Sequence, residues 1–199
     1  MARTRAFDEQ TVLAKARDLF WERGFTATSI GDLEKALGIS RSSLYQTFGG
    51  KRALYDATLA AYQHENLTRL RQQLQQPNLP LREALTNLFT YAASAYDAKC
   101  GSTARGCYVV NATTEMANSC ADALNFVSSN REQFITILQE ALALSQVRGE
   151  LDKTVDAGSW ANYLFVMYNG LQVVVQTKIE RETLREAVVR AVDALPWVG

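Results

Sequence analysis

At 199 residues with 47% hydrophobic side chains, the chain can bury a sizeable core and has the composition of a globular protein. Its 21 basic and 21 acidic residues cancel, which argues against a non-specific nucleic-acid coat, and no apolar run reaches membrane-spanning length. Three cysteines (Cys100, Cys107, Cys120) without a C-x-x-C pair exclude a disulfide framework and a recognisable zinc site, and no cofactor is expected. Strand-like alternation is scarce and Ala/Leu/Gln/Glu-rich stretches dominate, so the expected class is all-α, with about nine helices.

The first ten residues, MARTRAFDEQ, lack the apolar segment of a signal peptide, and the chain reads as cytoplasmic. Residues 1–7 are expected to be an arm whose Arg3 and Arg5 either touch a DNA minor groove or phosphates, or lie in a solvated tail. Val12, Ala16, Leu19 and Phe20 form the stripe of a first helix that ends at Arg23-Gly24-Phe25, with Gly24 suited to a left-handed C′ position. In 29–48, SIGDLEKALGISRSSLYQTF, Ile30, Leu33 and Leu37 mark one face of a second helix. Ser29 and Asp32 make a capping-box pattern at its start. Gly38 supplies the turn, Ser40 caps a third helix, and Leu44 and Phe48 lie on its inner face. Arg41, Ser42, Ser43, Tyr45, Gln46 and Thr47 are left outside, with lengths suited to phosphates and base edges. The pattern is a helix-turn-helix. Through Leu54 there are nine basic against six acidic residues, leaving twelve and fifteen for the rest, which fits DNA reading by one end only.

A long fourth helix is expected over 50–75, broken by QQLQQPNLP, and a fifth over 81–98 with Leu85, Leu88, Phe89 and Ala92 on one face. Residues 99–106 read as a loop, followed by a sixth helix from Gly106 and a seventh over 123–147. The last two helices are expected over 154–179 and 181–195. In WANYLFVMYNGLQVVVQTK the apolar residues wrap nearly all round, more than one buried face requires. Aromatic and amide residues cluster through this second part, a mixture that suits both an apolar pocket with polar anchors and a well-filled core. One histidine, His64, and the absence of hydrolase, zinc-protease or phosphate-loop motifs argue against an enzyme.

The run LFWERGFTATSIGDLEKALGISRSSLYQTFGGKRALY, residues 19–55, closely resembles the amino-terminal domain of the TetR family of transcriptional regulators. The matching elements are LF-x-x-x-GF-x-x-T-[ST]-I, A-x-G-[IV]-S and LY-x-x-F-x-x-K-x-x-L. Gln46 stands where the family often has His, and Gly49-Gly50 where Pro-Ser or Gly-Asn is commoner. The resemblance implies a DNA-binding domain at 1–52 and a helical effector-binding and dimerisation domain at 53–199. It further implies a homodimer released from a palindromic operator by a small molecule. Ser42, Ser43 and Gln46 would face base edges, and Arg41 a guanine or a phosphate. Tyr45 and Lys51 would clamp phosphates, helped by Thr28. The dimer interface would draw on Gly170, Val173, Val174, Leu184, Val188 and Leu195. The effector pocket would draw on Tyr91, Cys107, Asn111, Phe126, Trp160, Tyr163 and Tyr168. ARGCYVVN also resembles a TetR branch in which a cysteine at this place responds to oxidants or electrophiles, and Arg105 beside a helix N-terminus would lower the Cys107 pKa. The alternatives are such a sensor, or a helical ligand-binding protein without operator binding.

Overall fold

The computed structural model describes residues 7–94, 105–116, 121–177 and 179–198. Arg3, Arg5, Cys100 and Cys120 lie outside them. The described residues form nine α-helices: α1 (Glu9–Arg23), α2 (Ile30–Leu37), α3 (Arg41–Phe48), α4 (Lys51–Leu74), α5 (Leu81–Ser94), α6 (Tyr108–Met116), α7 (Ala121–Arg148), α8 (Ala157–Val174) and α9 (Arg181–Asp193). None is long and apolar enough to cross a membrane.

Local chemistry sets the helix starts. Asp8 accepts the Thr11 N–H at the head of α1, and Ser29 and Asp32 satisfy each other's backbone N–H groups at the head of α2. Ser40 accepts the Ser43 N–H, while Glu34 reaches across from α2 to accept the Arg41 N–H at 2.6 Å, so two of the orphan donors of α3 are filled, one from each side. Gly24 has a positive φ of 82° but an extended ψ of 166°, which differs from the left-handed cap expected there. A carboxylate from α6 sits against it, as described below.

Two buried clusters organise the chain. The first joins Val12, Ala16 and Phe20 of α1 to Leu33, Leu37 and Leu44 of α2 and α3. It continues through Leu54, Tyr55 and Leu59 of α4 and takes in Tyr108, Ala112 and Met116 of α6. This core runs on past residue 52 into α4, and one face of α6 joins it. The second cluster is the body, built from α5, α7, α8 and α9 with the second half of α4. Each Leu, Ile or Phe fully buried in it stabilises the fold by about 1.5–3 kcal/mol.

The body core changes the expected dimer surface. Leu184, Val188 and Leu195 point inward and are almost wholly buried within their own chain, so no second copy can reach them. The apolar excess on α8 does face out. Tyr163, Val166, Val173 and Val174 are exposed, and a Cβ placed at Gly170 would meet nothing within 4 Å. Val189 of α9 is exposed as well.

Candidate functional site

The outer surface of α3 presents Arg41, Ser42, Tyr45 and Gln46, all exposed, while Leu44 is sealed into the head. The Arg41 guanidinium stands 5.7 Å from the centre of the Tyr45 ring, one turn apart on the same face. Ser43 is half-buried, and its hydroxyl lies 3.0 Å from that of the capping Ser40. Its capping contact competes with any base-edge contact.

The turn into α4 is built around the Tyr45 ring. Gly49 (φ 85°) closes α3, and Gly50 (φ 126°) lies so near Tyr45 that a Cβ there would come within 3.2 Å of the ring. A side chain at Gly50 would press on the ring, so glycine at 50 suits the position of Tyr45, while a Cβ at Gly49 would meet Ala53 at an ordinary 3.6 Å. Lys51, the first residue of α4, holds its ammonium 4.2 Å from the Phe25 ring centre. Thr28 is a correction. Its side chain is fully buried, and its hydroxyl donates to the Gly24 carbonyl at 2.6 Å, so it fixes the α1–α2 turn and cannot meet a phosphate.

Behind the head, a cavity of about 300 Å³ lies between α4, α6, α7 and α8. Cys107, Val109, Val110, Phe134, Phe165 and Tyr168 give it apolar walls, and Asn66, Asn130 and Asn169 place amides at its edge. The Asn130 Oδ1 is buried without a hydrogen-bond partner, and Asn169 spends its Nδ2 on the Phe165 carbonyl. Of the expected pocket residues, Cys107 and Tyr168 line this space. Phe126 lines a separate pocket of about 220 Å³ against Tyr55, Leu59 and Met116. Asn111 is a brace: its Nδ2 donates to the Arg105 carbonyl at 2.9 Å and its Oδ1 accepts from Gln176 at 3.1 Å. Trp160 and Tyr163 stack edge to face, and Tyr91 is exposed; none of the three lines the cavity.

The thiol of Cys107 is buried and accepts a hydrogen bond from the Tyr62 hydroxyl at 3.7 Å. Burial pushes its pKa up, against a smaller opposing pull from the backbone N–H groups at the start of α6. Arg105, expected to lower it, turns away to Asp18 at 3.9 Å. Burial also holds the Tyr62 and Tyr168 phenols well above their ordinary range. At neutral pH the Cys107 thiol and the Tyr168 phenol that line the cavity are therefore neutral, and Arg131 is the charged side chain among its lining residues.

The family model for bacterial regulatory proteins of the tetR family matches residues 12–58, the segment that carries most of α1, the helix-turn-helix and the turn into α4. The TetR family transcriptional regulator CifR, solved as a cysteine mutant with 26-bp double-strand operator DNA, is 30% identical and superposes with a TM-score of 0.84 over 98% of this chain and 100% of its own. The chain belongs to the TetR family of transcriptional regulators. The transcriptional repressor ComR of Escherichia coli (strain K12) is 29% identical over 184 residues, 92% of this chain and 87% of ComR. The reduced form of E. coli NemR shares the fold with a TM-score of 0.83 at 20% identity, covering 94% of this chain and 95% of its own. For a TetR regulator, what the sequence left unread is the polar edge of the cavity. Asn66, Asn130 and Asn169 come from three different helices, and no local spacing connects them.

Proposed function

We propose that this regulator is a homodimeric repressor that binds a palindromic operator and is released when a small molecule occupies the cavity between α4, α6, α7 and α8. The observation that carries the reading is the α3 surface. Arg41, Ser42, Tyr45 and Gln46 project from a helix whose other side is locked into the head, as a reader of base edges and phosphates must. Gln46 and Ser42 would read bases, with Tyr45 and Lys51 holding the phosphate backbone. The operator-bound relative CifR, alike along its whole length, supports this assignment.

A two-fold site needs two heads, and the exposed apolar stripe of α8, with Gly170 open at its centre, is the surface on which two bodies would meet. The cavity fits a small effector in size, with ring-bearing walls and an unpartnered amide oxygen to orient it. The neutral, buried state of Cys107 favours reversible ligand binding over thiolate chemistry. Selection of random duplexes with the full-length protein tests the reading. Enrichment of a two-fold symmetric site, lost in Y45A and K51A, is the expected outcome. Weak, sequence-blind, strongly salt-dependent binding would refute it.

A further inference from the structure

Helix α6 has two faces with different allegiances. Val109, Val110, Thr113 and Thr114 line the cavity, whereas Tyr108, Ala112 and Met116 are buried in the core of the head. The Tyr108 hydroxyl lies 2.9 Å from that of Thr58, and its ring meets Tyr55 and Tyr62 edge to face. The amino-terminal approach to α6 is tied to α1 by the Trp21 indole, which donates to the Arg105 carbonyl at 3.1 Å.

The carboxy-terminal end is tied differently. The two carboxylate oxygens of Glu115 accept the backbone N–H groups of Phe25 and Thr26, at 3.0 and 2.8 Å. Those amides belong to the turn between α1 and α2, some ninety residues away in sequence. The approach is close: a Cβ at Gly24 would sit 3.0 Å from the Glu115 Oε2, tighter than ordinary contact. Partial burial works to raise the Glu115 pKa, but the Thr26 and Phe25 amides and the Lys51 ammonium outweigh it and hold the group below the usual range. The ionised form is the one that can accept both amides at once.

The turn so gripped leads directly into α2, whose Glu34 in turn caps α3. A path of contacts thus runs from the cavity wall through α6 to the recognition helix. We propose that Glu115 is a positioning residue that makes the head follow α6, so that a molecule filling the cavity displaces the α1–α2 turn and carries the recognition helix out of register with the operator. The proposal rests on the repressor reading above.

The test uses the full-length protein and a duplex from the selection, with substitutions that fill the cavity in place of an unknown effector. V110F fills it from α6 and V127F from α7. Operator affinity is measured at one salt concentration for each filler, for E115A and E115Q, and for each filler combined with E115A. In the parent background a filler is expected to weaken binding by about tenfold or more, the ordinary scale of coupling between sites. In E115A the same filler should change binding by less than about twofold, and E115Q, which keeps one acceptor, should fall between. A residue that merely stabilised the head would shift affinity or melting temperature but leave the filler's ratio the same in both backgrounds. Equal ratios would overturn the proposal. Fillers that bind operator like the parent would overturn the reading of the cavity as the effector site, which is a separate result. Independently of either filler, amide exchange at Phe25 and Thr26 should rise in E115A; unchanged protection would also overturn the proposal.

Discussion

Replacing Gly106 by alanine puts a methyl group where two elements already touch. The residue has a φ of +63°, and a Cβ built on it would lie 2.5 Å from the Gln172 carbonyl oxygen of α8 and closer still to the Gln176 side-chain amide nitrogen. That amide is not idle, since it donates to the Gln172 carbonyl at 2.9 Å and to the Asn111 Oδ1 at 3.1 Å. The carbonyl is helix backbone and moves only with α8. The left-handed conformation costs an alanine about 1–2 kcal/mol. Parting the two elements adds about 1–3 kcal/mol, the usual cost of an overpacked site. Reduced freedom of the unfolded chain returns about 0.4–1 kcal/mol. The net expectation for G106A is a loss of about 1–4.5 kcal/mol. Urea denaturation at a single protein concentration, needed because assembly shifts apparent stability, measures it. G31A serves as the control, because Gly31 lies in α2 with no neighbour nearer than 3.7 Å and should gain about 0.5–1 kcal/mol. A G106A protein within about 0.5 kcal/mol of the parent would refute this account of how α6 meets α8.

Ser29→Ala removes one side of the α2 capping box and should cost about 1 kcal/mol in the same denaturation assay. Cys107 should be alkylated slowly at neutral pH and faster as pH rises through its elevated pKa, because burial disfavours the thiolate; site-resolved mass spectrometry separates it from Cys100 and Cys120. Rapid alkylation of Cys107 at pH 7 would contradict its buried, neutral state. On an enriched duplex, K51A should weaken binding to all variants alike and reduce the salt slope by about one, whereas Q46A should relax preference at one base position by about 1–3 kcal/mol. Binding isotherms over a panel of single-base changes distinguish the two.

The head was legible because its instructions are local. Ser29, Asp32, Gly38 and Ser40 stand within a few residues of the groups they satisfy, and the structure pairs them as the spacing implies. Thr28 was misplaced for a reason of orientation. Its position in the chain is right for the surface, but the Gly24 carbonyl draws its hydroxyl inward. In α8 and α9 an apolar stripe identifies a contact without saying with what. Leu184 and Val188 belong to the chain's own core, while Val173 and Val174 on the neighbouring helix face out. The pairing of α5 with α9, long-range in sequence, decides between the two. The allegiance of α6 had no local signal either. Tyr108 joins the head through Thr58, Tyr55 and Tyr62, and Glu115 through Phe25 and Thr26, all partners that only the folded chain brings near. The need for glycine at Gly50 emerges only in the fold, where a φ of 126° beside the Tyr45 ring is a demand that glycine meets at no cost.

The central claim is that two heads, joined through their bodies, read one two-fold site. It is tested most directly by altering the distance between half-sites while leaving each half-site intact. Binding should be strong on the selected duplex and with two chains per duplex. It should fall by orders of magnitude when about half a helical turn of DNA is inserted at the centre, because the second half-site then faces away. Unchanged affinity on the lengthened duplex, or one chain bound per intact site, would contradict the account.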